Sequence, residues 1–171
     1  MRMLMLIRHG KSDWSKTGDT DASGWAAGAD HSRPLAPRGV KAAKRMGRFI
    51  ADADLSPDRI LSSTAVRART TAELAIEAGG LTGELTLHDE LYEASVAGAL
   101  AVIHGTDDSV ERLLVAGHEP TTSSLASTLT GGGHLRVVTA TLVGLAFYGP
   151  WNQLGAGSAE LRFLVPPRLL G

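Results

Sequence analysis

Met3-Leu4-Met5-Leu6-Ile7 is an apolar stretch near the N-terminus, and Arg8-His9-Gly10 follows it directly. An apolar run of this length without polar alternation predicts a strand that is buried on both faces, as strands of parallel sheets are. The glycine predicts that the strand ends there. Because ligands of parallel α/β sheets bind beyond the carboxyl ends of the strands, we expect the polar residues after this strand to belong to a site.

Apolar runs and helical periodicities alternate along the remaining sequence. Over residues 38–53, apolar residues recur every three or four positions with Lys and Arg between them, which predicts an amphipathic helix. The other predicted helices span 65–78, 96–104 and 121–129, the last capped by Thr121 or Thr122, and the other predicted strands span 59–61, 84–87, 111–116, 135–148 and 160–165. This alternation predicts an α/β fold: a single-domain three-layer sandwich whose mostly parallel sheet is flanked by helices.

Residues 13–33 separate the first predicted strand from the first predicted helix. They are rich in Asp, Ser, Gly and Thr and have no regular apolar period, so we predict a long loop. Long loops in compact domains are commonly functional. Arg33 and His31 in this loop are therefore candidates for substrate contact.

The composition favours one globular domain over residues 1–171. Of the 171 residues, 43% are apolar and 20% are charged, which is unlike disordered or fibrous proteins. The absence of cysteine excludes disulfides, thiolate catalysis and cysteine-ligated zinc. No apolar run approaches the 18 residues of a membrane span, and the N-terminal run is too short for a signal sequence. We therefore expect a cytoplasmic protein.

The distribution of charge is uneven along the chain. In total, 17 Lys and Arg stand against 18 Asp and Glu, which argues against broad binding to nucleic acid or to an anionic membrane. Residues 1–50, however, hold ten basic and four acidic residues, whereas residues 51–120 hold four basic and thirteen acidic ones. A basic N-terminal third suits a small anionic ligand.

Anion-binding side chains follow the predicted parallel strands. Arg8 and His9 follow the first strand, Arg67 lies in the first turn of the helix after the second, and His118 follows the fourth. Guanidinium groups match the geometry and charge of a phosphoryl group, and a neutral imidazole is a competent nucleophile toward phosphorus. A second, protonated imidazole can stabilise the charge that develops. The set predicts phosphoryl chemistry in which the cationic side chains take the place of a metal ion.

A carboxyl group near such a site can protonate the leaving group and later activate water. The third predicted strand leads to three candidates for this group, which the spacing alone does not separate: Asp89, Glu90 and Glu93.

The residues at the strand ends also resemble a known family, the histidine phosphatase superfamily with its phosphoglycerate-mutase-like fold. Three blocks carry the resemblance in the family's order, and together they extend over most of the chain. The first block is Leu6-Ile7-Arg8-His9-Gly10-Lys11-Ser12-Asp13-Trp14. The second is Ser63-Thr64-Ala65-Val66-Arg67-Ala68-Arg69-Thr70-Thr71-Ala72-Glu73, which is similar to S-x-x-x-R-A-x-x-T-A, and the third is Leu114-Val115-Ala116-Gly117-His118-Glu119-Pro120.

The resemblance implies a role for each matching residue. His9 would be the nucleophile that becomes phosphorylated, and Arg8, Arg67 and His118 would line the phosphate pocket. Glu93, in Leu91-Tyr92-Glu93, is similar to the family's acid in L-x-E. Two further contacts with phosphate or substrate are expected from Ser15, which stands where the family often has Asn, and from Arg33.

Within the superfamily, the chain is most similar to the SixA-type phosphohistidine phosphatases. Its shortness supports this resemblance, as do Arg33-Pro34-Leu35, Arg38-Gly39 and Val165-Pro166-Pro167-Arg168-Leu169. The resemblance implies a phosphatase without metal or other cofactor that acts on phosphohistidine of a signalling or phosphotransfer protein. Two alternatives remain: a phosphatase of small phosphorylated metabolites, and a non-catalytic phosphate-binding or scaffold protein.

Overall fold

The computed structural model describes residues 1–15 and 29–171. Its strands are β1 (Arg2–Arg8), β2 (Arg59–Ser63), β3 (Glu84–His88), β4 (Arg112–Gly117), β5 (Leu142–Phe147) and β6 (Ala159–Val165). Its α-helices are α1 (Ala29–Ser32), α2 (Pro37–Asp52), α3 (Val66–Gly79), α4 (Val96–His104) and α5 (Thr121–Leu129). Short 3-10 turns lie at Asp89–Leu91, Trp151–Gln153 and Pro167–Leu169.

The strands form one sheet in the order β3-β2-β4-β1-β5-β6. β1 pairs in parallel with β4 along its length, from Met3 opposite Arg112 to Arg8 opposite Gly117. β2 pairs in parallel with both β3 and β4, whereas β5 is antiparallel to both of its neighbours. The predicted mostly parallel α/β sheet is therefore confirmed, and the carboxyl ends of β1, β2 and β4 meet at one edge.

Alternate residues of the central strands pack into two separate cores, one on each face of the sheet. Leu4 and Leu6 face α4 and α5, whereas Met5 and Ile7 face α2 and α3. Each face is covered by helices, which explains why the first strand is apolar throughout. This arrangement confirms the predicted three layers.

The C-terminal part of the sheet differs from the sequence prediction. The strand expected over residues 135–148 is wrong in its first half, because β5 begins only at Leu142. The preceding residues cross the carboxyl end of β1 instead: Ala140 N–H donates to the carbonyl of Arg8, and the Arg8 guanidinium donates to the carbonyl of Val137. Backbone groups of Ala140 and Thr141 thus bond to the end of β1 before the regular antiparallel pairing of β1 with β5 starts at Leu142.

The predicted cap of α5 is also wrong. The helix begins after Pro120, whose side chain makes no capping hydrogen bond, and the hydroxyls of Thr121 and Thr122 donate to the carbonyls of Ala94 and His118. The carboxylate of Glu119 takes that role by accepting from the N–H of Ser123 at 3.0 Å. A carboxylate at a helix N-terminus also interacts favourably with the helix dipole.

The predicted loop over residues 13–33 is described only in part. Residues 29–32 form α1, which the sequence analysis did not predict, and residues 16–28 lie outside the described residues. Within the described ranges, no helix is long and apolar enough to cross a membrane.

Candidate active site

A pocket of about 230 Å³ lies beyond the carboxyl ends of β1 and β4. It brings together residues from widely separated parts of the chain: Arg8, His9, Lys11, Ser12, Trp14, Arg33, Arg67, His118, Glu119 and Thr139. Four residues predicted from the strand ends, Arg8, His9, Arg67 and His118, thus line the same pocket. Arg33, predicted from the loop, lines it as well.

His9 is held as a neutral imidazole with one nitrogen directed by the backbone. Its Nδ1 lies 2.7 Å from the carbonyl oxygen of Gly10, which can only accept, so Nδ1 carries the proton and Nε2 has a free lone pair. Burial lowers the pKa of His9 to about 4, and the charges of Arg67 and Arg8 act in the same direction against the Gly10 hydrogen bond. The Nε2 atom is therefore available as a nucleophile near neutral pH.

Gly10 explains why the triplet Arg8-His9-Gly10 ends in glycine. A Cβ atom at position 10 would lie 2.9 Å from the carbonyl oxygen of Gly39 in α2, a contact that the backbone does not permit. The N–H of Gly10 donates to Oγ1 of Thr71 at 2.9 Å, and that hydroxyl donates to the carbonyl of Arg67. Gly10, just after β1, is therefore packed closely against α2 and is hydrogen-bonded to α3.

Arg67 and Asp30 form the main ion pair of the site. Arg67 donates to the main-chain carbonyl of Asp30 at 2.6 Å and to its carboxylate at 3.0 Å. Tyr92 donates its hydroxyl to the same carboxylate at 2.8 Å. Burial raises the pKa of Asp30, but the Tyr92 hydrogen bond and the charge of Arg67 outweigh it and hold the pKa below its ordinary value. Asp30 is therefore ionised and orients the Arg67 guanidinium.

Arg33 is fixed by two contacts. It is only 5% exposed, pairs with the carboxylate of Asp30 at 2.6 Å, and stacks its guanidinium 3.6 Å from the ring centre of Trp14. Buried guanidinium nitrogens of Arg8, Arg33 and Arg67 have no hydrogen-bond partner among the described residues. Because buried N–H groups are nearly always paired, these donors indicate a site for an anion with several acceptor oxygens.

His118 faces His9 across the pocket, with a distance of 5.3 Å between the ring centres. Its Nε2 is hydrogen-bonded to Oγ of Ser63 at 2.8 Å, at the carboxyl end of β2. Burial lowers the pKa of His118 to about 3, and the charge of Arg67 adds to this effect. The imidazole is therefore neutral near pH 7, and a phosphoryl dianion bound beside it would raise its pKa through attraction of the charged form.

Two predicted residues are not brought to this pocket. Glu93 is exposed and has a left-handed backbone with φ of 53°, and the side chain of the preceding Tyr92 is the one that reaches Asp30. Ser15 is exposed too, and its hydroxyl donates to the carboxylate of Asp13 at 2.6 Å. Neither residue is among those that line the pocket, so the roles expected for them stay predictions.

Asp30 and Tyr92 are residues of the site that sequence analysis missed. Asp30 lies in the segment predicted as loop, and its contacts come from α3 and from the turn after β3, so no local pattern indicated it. His31, the second loop candidate, is hydrogen-bonded to Thr64 at 3.0 Å and lies against the edge of the Tyr92 ring. Glu119 was visible in the sequence beside His118, but only the structure shows that it lines the pocket.

A comparison with protein families agrees with the fold. The model of the histidine phosphatase superfamily (branch 1) matches residues 4–99, which is more than half of the chain. The chain therefore belongs to the histidine phosphatase superfamily, and it is a phosphatase.

Individual relatives and solved structures are similar to the chain over most of its length. An uncharacterized protein of Mycobacterium tuberculosis is 41% identical over 150 residues, which cover 82% of this chain and 92% of that one. The structure of a Nakamurella multipartitia protein assigned as the phosphohistidine phosphatase SixA is 29% identical with a TM-score of 0.79 and covers 96% of both chains. The protein histidine phosphatase SixA in complex with tungstate shares the fold, with a TM-score of 0.80, 20% identity and coverage of 99% of both chains. The chain is thus similar to SixA-type proteins over nearly its whole length.

Proposed function

We propose that this phosphatase works through a phosphohistidine intermediate on His9, without a metal ion, and that its preferred substrate is phosphohistidine on a signalling or phosphotransfer protein. The observation that carries the proposal is the neutral His9, whose Nδ1 is bonded to Gly10 and whose Nε2 is free beside the guanidinium groups of Arg8, Arg33 and Arg67.

In the first step, Nε2 of His9 forms a bond to phosphorus while the phosphorus–nitrogen bond of the substrate breaks. The substrate imidazole leaves with the electron pair of that bond and takes a proton from solvent. Arg8, Arg33 and Arg67 donate hydrogen bonds to the phosphoryl oxygens, whose charge is shared among them in the transition state. The Gly10 carbonyl stabilises the positive charge that develops on the His9 ring as the new bond forms.

In the second step, a water molecule attacks phosphorus and the bond to His9 breaks. The water loses its proton to solvent, the products are inorganic phosphate and neutral His9, and the enzyme returns to its initial state. His118 lies where it can donate to a phosphoryl oxygen once the bound dianion has raised its pKa. Both displacements use the same set of cationic groups.

The available proton donors favour a phosphoramidate substrate over an ester. An imidazole leaves readily once protonated, whereas an alkoxide needs a proton from the enzyme. Among the residues that line the pocket, the only carboxyl group is that of Glu119, and both of its oxygens accept from Ser123, one from the N–H and one from the hydroxyl. The other predicted acid, Glu93, is exposed.

The first experiment compares phosphate release from a phosphohistidine-bearing phosphotransfer domain and from p-nitrophenyl phosphate. Wild type, His9→Ala and His134→Ala are assayed together, since His134 is an exposed histidine and serves as the control. We expect fast release from the protein by wild type and the control, and a loss of more than about a thousandfold in His9→Ala because the nucleophile is gone.

Other outcomes would contradict parts of the proposal. His9-dependent release from the ester alone would keep the mechanism and reject the substrate in favour of small phosphomonoesters. Phosphate binding without any His9-dependent turnover would reject catalysis in favour of a phosphate-binding protein. Activity that disappears with a chelator would contradict the metal-free mechanism, whereas vanadate, which resembles a five-coordinate phosphoryl group, is expected to inhibit.

A further inference from the structure

A second, larger depression adjoins the catalytic pocket. It has a volume of about 720 Å³ and shares Arg8, Lys11 and Thr139 with the pocket, so the two lie side by side. We name it the basic cleft, and its lining comes from the end of β1, from α2, from the segment before β5 and from the C-terminal turn: Arg8, Lys11, Arg38, Ala42, Arg136, Val138, Thr139, Pro166, Pro167 and Arg168.

The basic cleft has one sign of charge. Five of its ten lining residues are Lys or Arg and none is Asp or Glu. Within the described residues, Lys11, Arg38, Arg136 and Arg168 take part in no ion pair. Arg59, Arg69 and Arg162, which lie away from the cleft, are each paired with a carboxylate. Among residues 1–15 and 29–171, no ion pair therefore offsets the positive charge of these four side chains of the cleft.

The positive surface continues from the cleft along α2. Lys41, Arg45 and Arg48 follow Arg38 at intervals of three or four residues, which places all four on one side of the helix. Arg45 also contacts the carbonyl of Pro167, at the wall of the cleft. From residue 38 to residue 48 the helix rises by about 15 Å. This length exceeds the size of a single phosphoryl group.

We propose that the basic cleft and this side of α2 bind a carboxylate-rich surface next to the phosphohistidine of the protein substrate. The inference rests on the proposed function and adds the chemistry of the partner. Arg38, Arg136 and Arg168 are exposed, unlike the buried guanidinium groups that hold the phosphoryl group. Exposed cations spread over several segments suit several exposed carboxylates, since such pairs are weak singly and act together on association.

Two matched peptides test this proposal. Each carries one phosphohistidine, flanked in the first by four glutamates and in the second by four glutamines. We expect wild type to hydrolyse the glutamate peptide with a kcat/KM about tenfold higher at low salt, and the difference to shrink as salt screens the charges. The triple variant Arg38→Gln, Arg136→Gln and Arg168→Gln is expected to lose this preference while its rate with p-nitrophenyl phosphate stays within about twofold of wild type.

A control variant carries the same change in net charge elsewhere: Arg59→Gln, Arg69→Gln and Arg162→Gln. It is expected to keep the preference for the glutamate peptide. Equal hydrolysis of both peptides by wild type, or equal loss of preference in the two triple variants, would overturn the proposed partner chemistry but leave the proposed function intact.

A failure of the proposed function gives a different result. If wild type hydrolyses p-nitrophenyl phosphate but neither peptide, the proposed phosphohistidine substrate is wrong. Binding of an acidic partner to the cleft is then tested by measuring how poly-glutamate inhibits hydrolysis of p-nitrophenyl phosphate. Inhibition of wild type that the cleft triple variant resists supports the acidic partner. Absence of inhibition, or stronger inhibition by single-stranded RNA or polyphosphate than by poly-glutamate, rejects it.

Discussion

The catalytic pocket and the basic cleft lie side by side and both attract negative charge, yet they do so in different ways. In the pocket, Arg33 and Arg67 are only 5% and 6% exposed, and the carboxylate of Asp30 orients both. In the cleft, Arg38, Arg136 and Arg168 are exposed and have no carboxylate partner within the described residues. The pocket thus holds preorganised donors, and the cleft holds solvated ones.

This difference separates chemistry from recognition. Preorganised donors in a site of low dielectric stabilise a transition state strongly, because they need no reorganisation when charge develops. Solvated cations contribute little individually and mainly affect association and its dependence on salt. Variants of Arg33 and Arg67 should therefore change turnover of every substrate, whereas variants of Arg38, Arg136 and Arg168 should change only the choice of substrate.

Among the arginines of the pocket and the cleft, the largest effect is expected for Arg67. Arg67→Gln is expected to lower kcat/KM by about a hundredfold to a thousandfold, because it removes a buried donor to the phosphoryl group. Arg69→Gln, two positions away in the same helix, is the matched control, since Arg69 is exposed and paired with Glu73. Rates are measured with p-nitrophenyl phosphate, so that the cleft plays no part. A similar loss of kcat/KM in both variants would contradict the expectation that buried guanidinium groups contribute more to turnover than exposed ones.

The second prediction concerns the dependence of the free energy of unfolding on pH. The native state keeps His9 neutral down to a pKa of about 4, whereas an unfolded histidine takes up its proton near 6.5. Lowering the pH through this window therefore favours the unfolded state, by about 1.4 kcal/mol per pH unit and about 3 kcal/mol over the window. His118 acts in the same direction, because its pKa is about 3. Above pH 6.5 neither histidine contributes to the pH dependence.

Urea unfolding of wild type and His9→Gln between pH 4.5 and 7.5 measures this effect. The free energy of unfolding of wild type is expected to fall more steeply with decreasing pH than that of the variant. His134→Gln, at an exposed position, is expected to match the wild-type slope. If His9→Gln has the wild-type slope too, burial of His9 does not control its protonation.

A smaller effect is expected for Asp30, which positions the arginines and does not itself contact the reacting atoms. Asp30→Asn keeps an acceptor for Tyr92 but weakens the ion pairs with Arg67 and Arg33. We expect kcat to fall about tenfold with little change in KM, since orientation matters most in the transition state. Asp107→Asn, a substitution at an exposed carboxylate, serves as control. A rise in kcat/KM would show instead that Asp30 competes with phosphate for Arg67.

The smallest effect is expected for Glu93. Because its side chain is exposed and does not line the pocket, Glu93→Gln is expected to change kcat/KM for phosphohistidine by less than about threefold. The same variant is assayed with p-nitrophenyl phosphate. A loss of a hundredfold with phosphohistidine would restore Glu93 as the proton donor and contradict the substrate preference argued from its absence in the pocket.

Much of the fold could be predicted from local pattern. An uninterrupted apolar run marks residues 3–7 as a buried strand, and apolar spacings of three and four mark residues 38–53 as a helix. The structure has both elements close to the expected bounds. The segment over residues 135–141 has no comparable pattern that identifies one type of element. It contains residues compatible with a strand, but its backbone pairs with the end of β1, and only the packed sheet determines that pairing.

The residues of the site also fall into those that the sequence predicts and those that only the structure brings together. The sequence by itself determined that Arg8, His9, Arg67 and His118 would meet, because parallel strands bring their carboxyl ends to one edge whatever the details of packing. Only the tertiary structure decided that Asp30 and Tyr92 complete the network, that Glu93 stays outside it and that a basic cleft opens beside it. Those contacts join residues from separate loops and turns, whose positions depend on the whole packed chain and carry no periodic signal in the sequence.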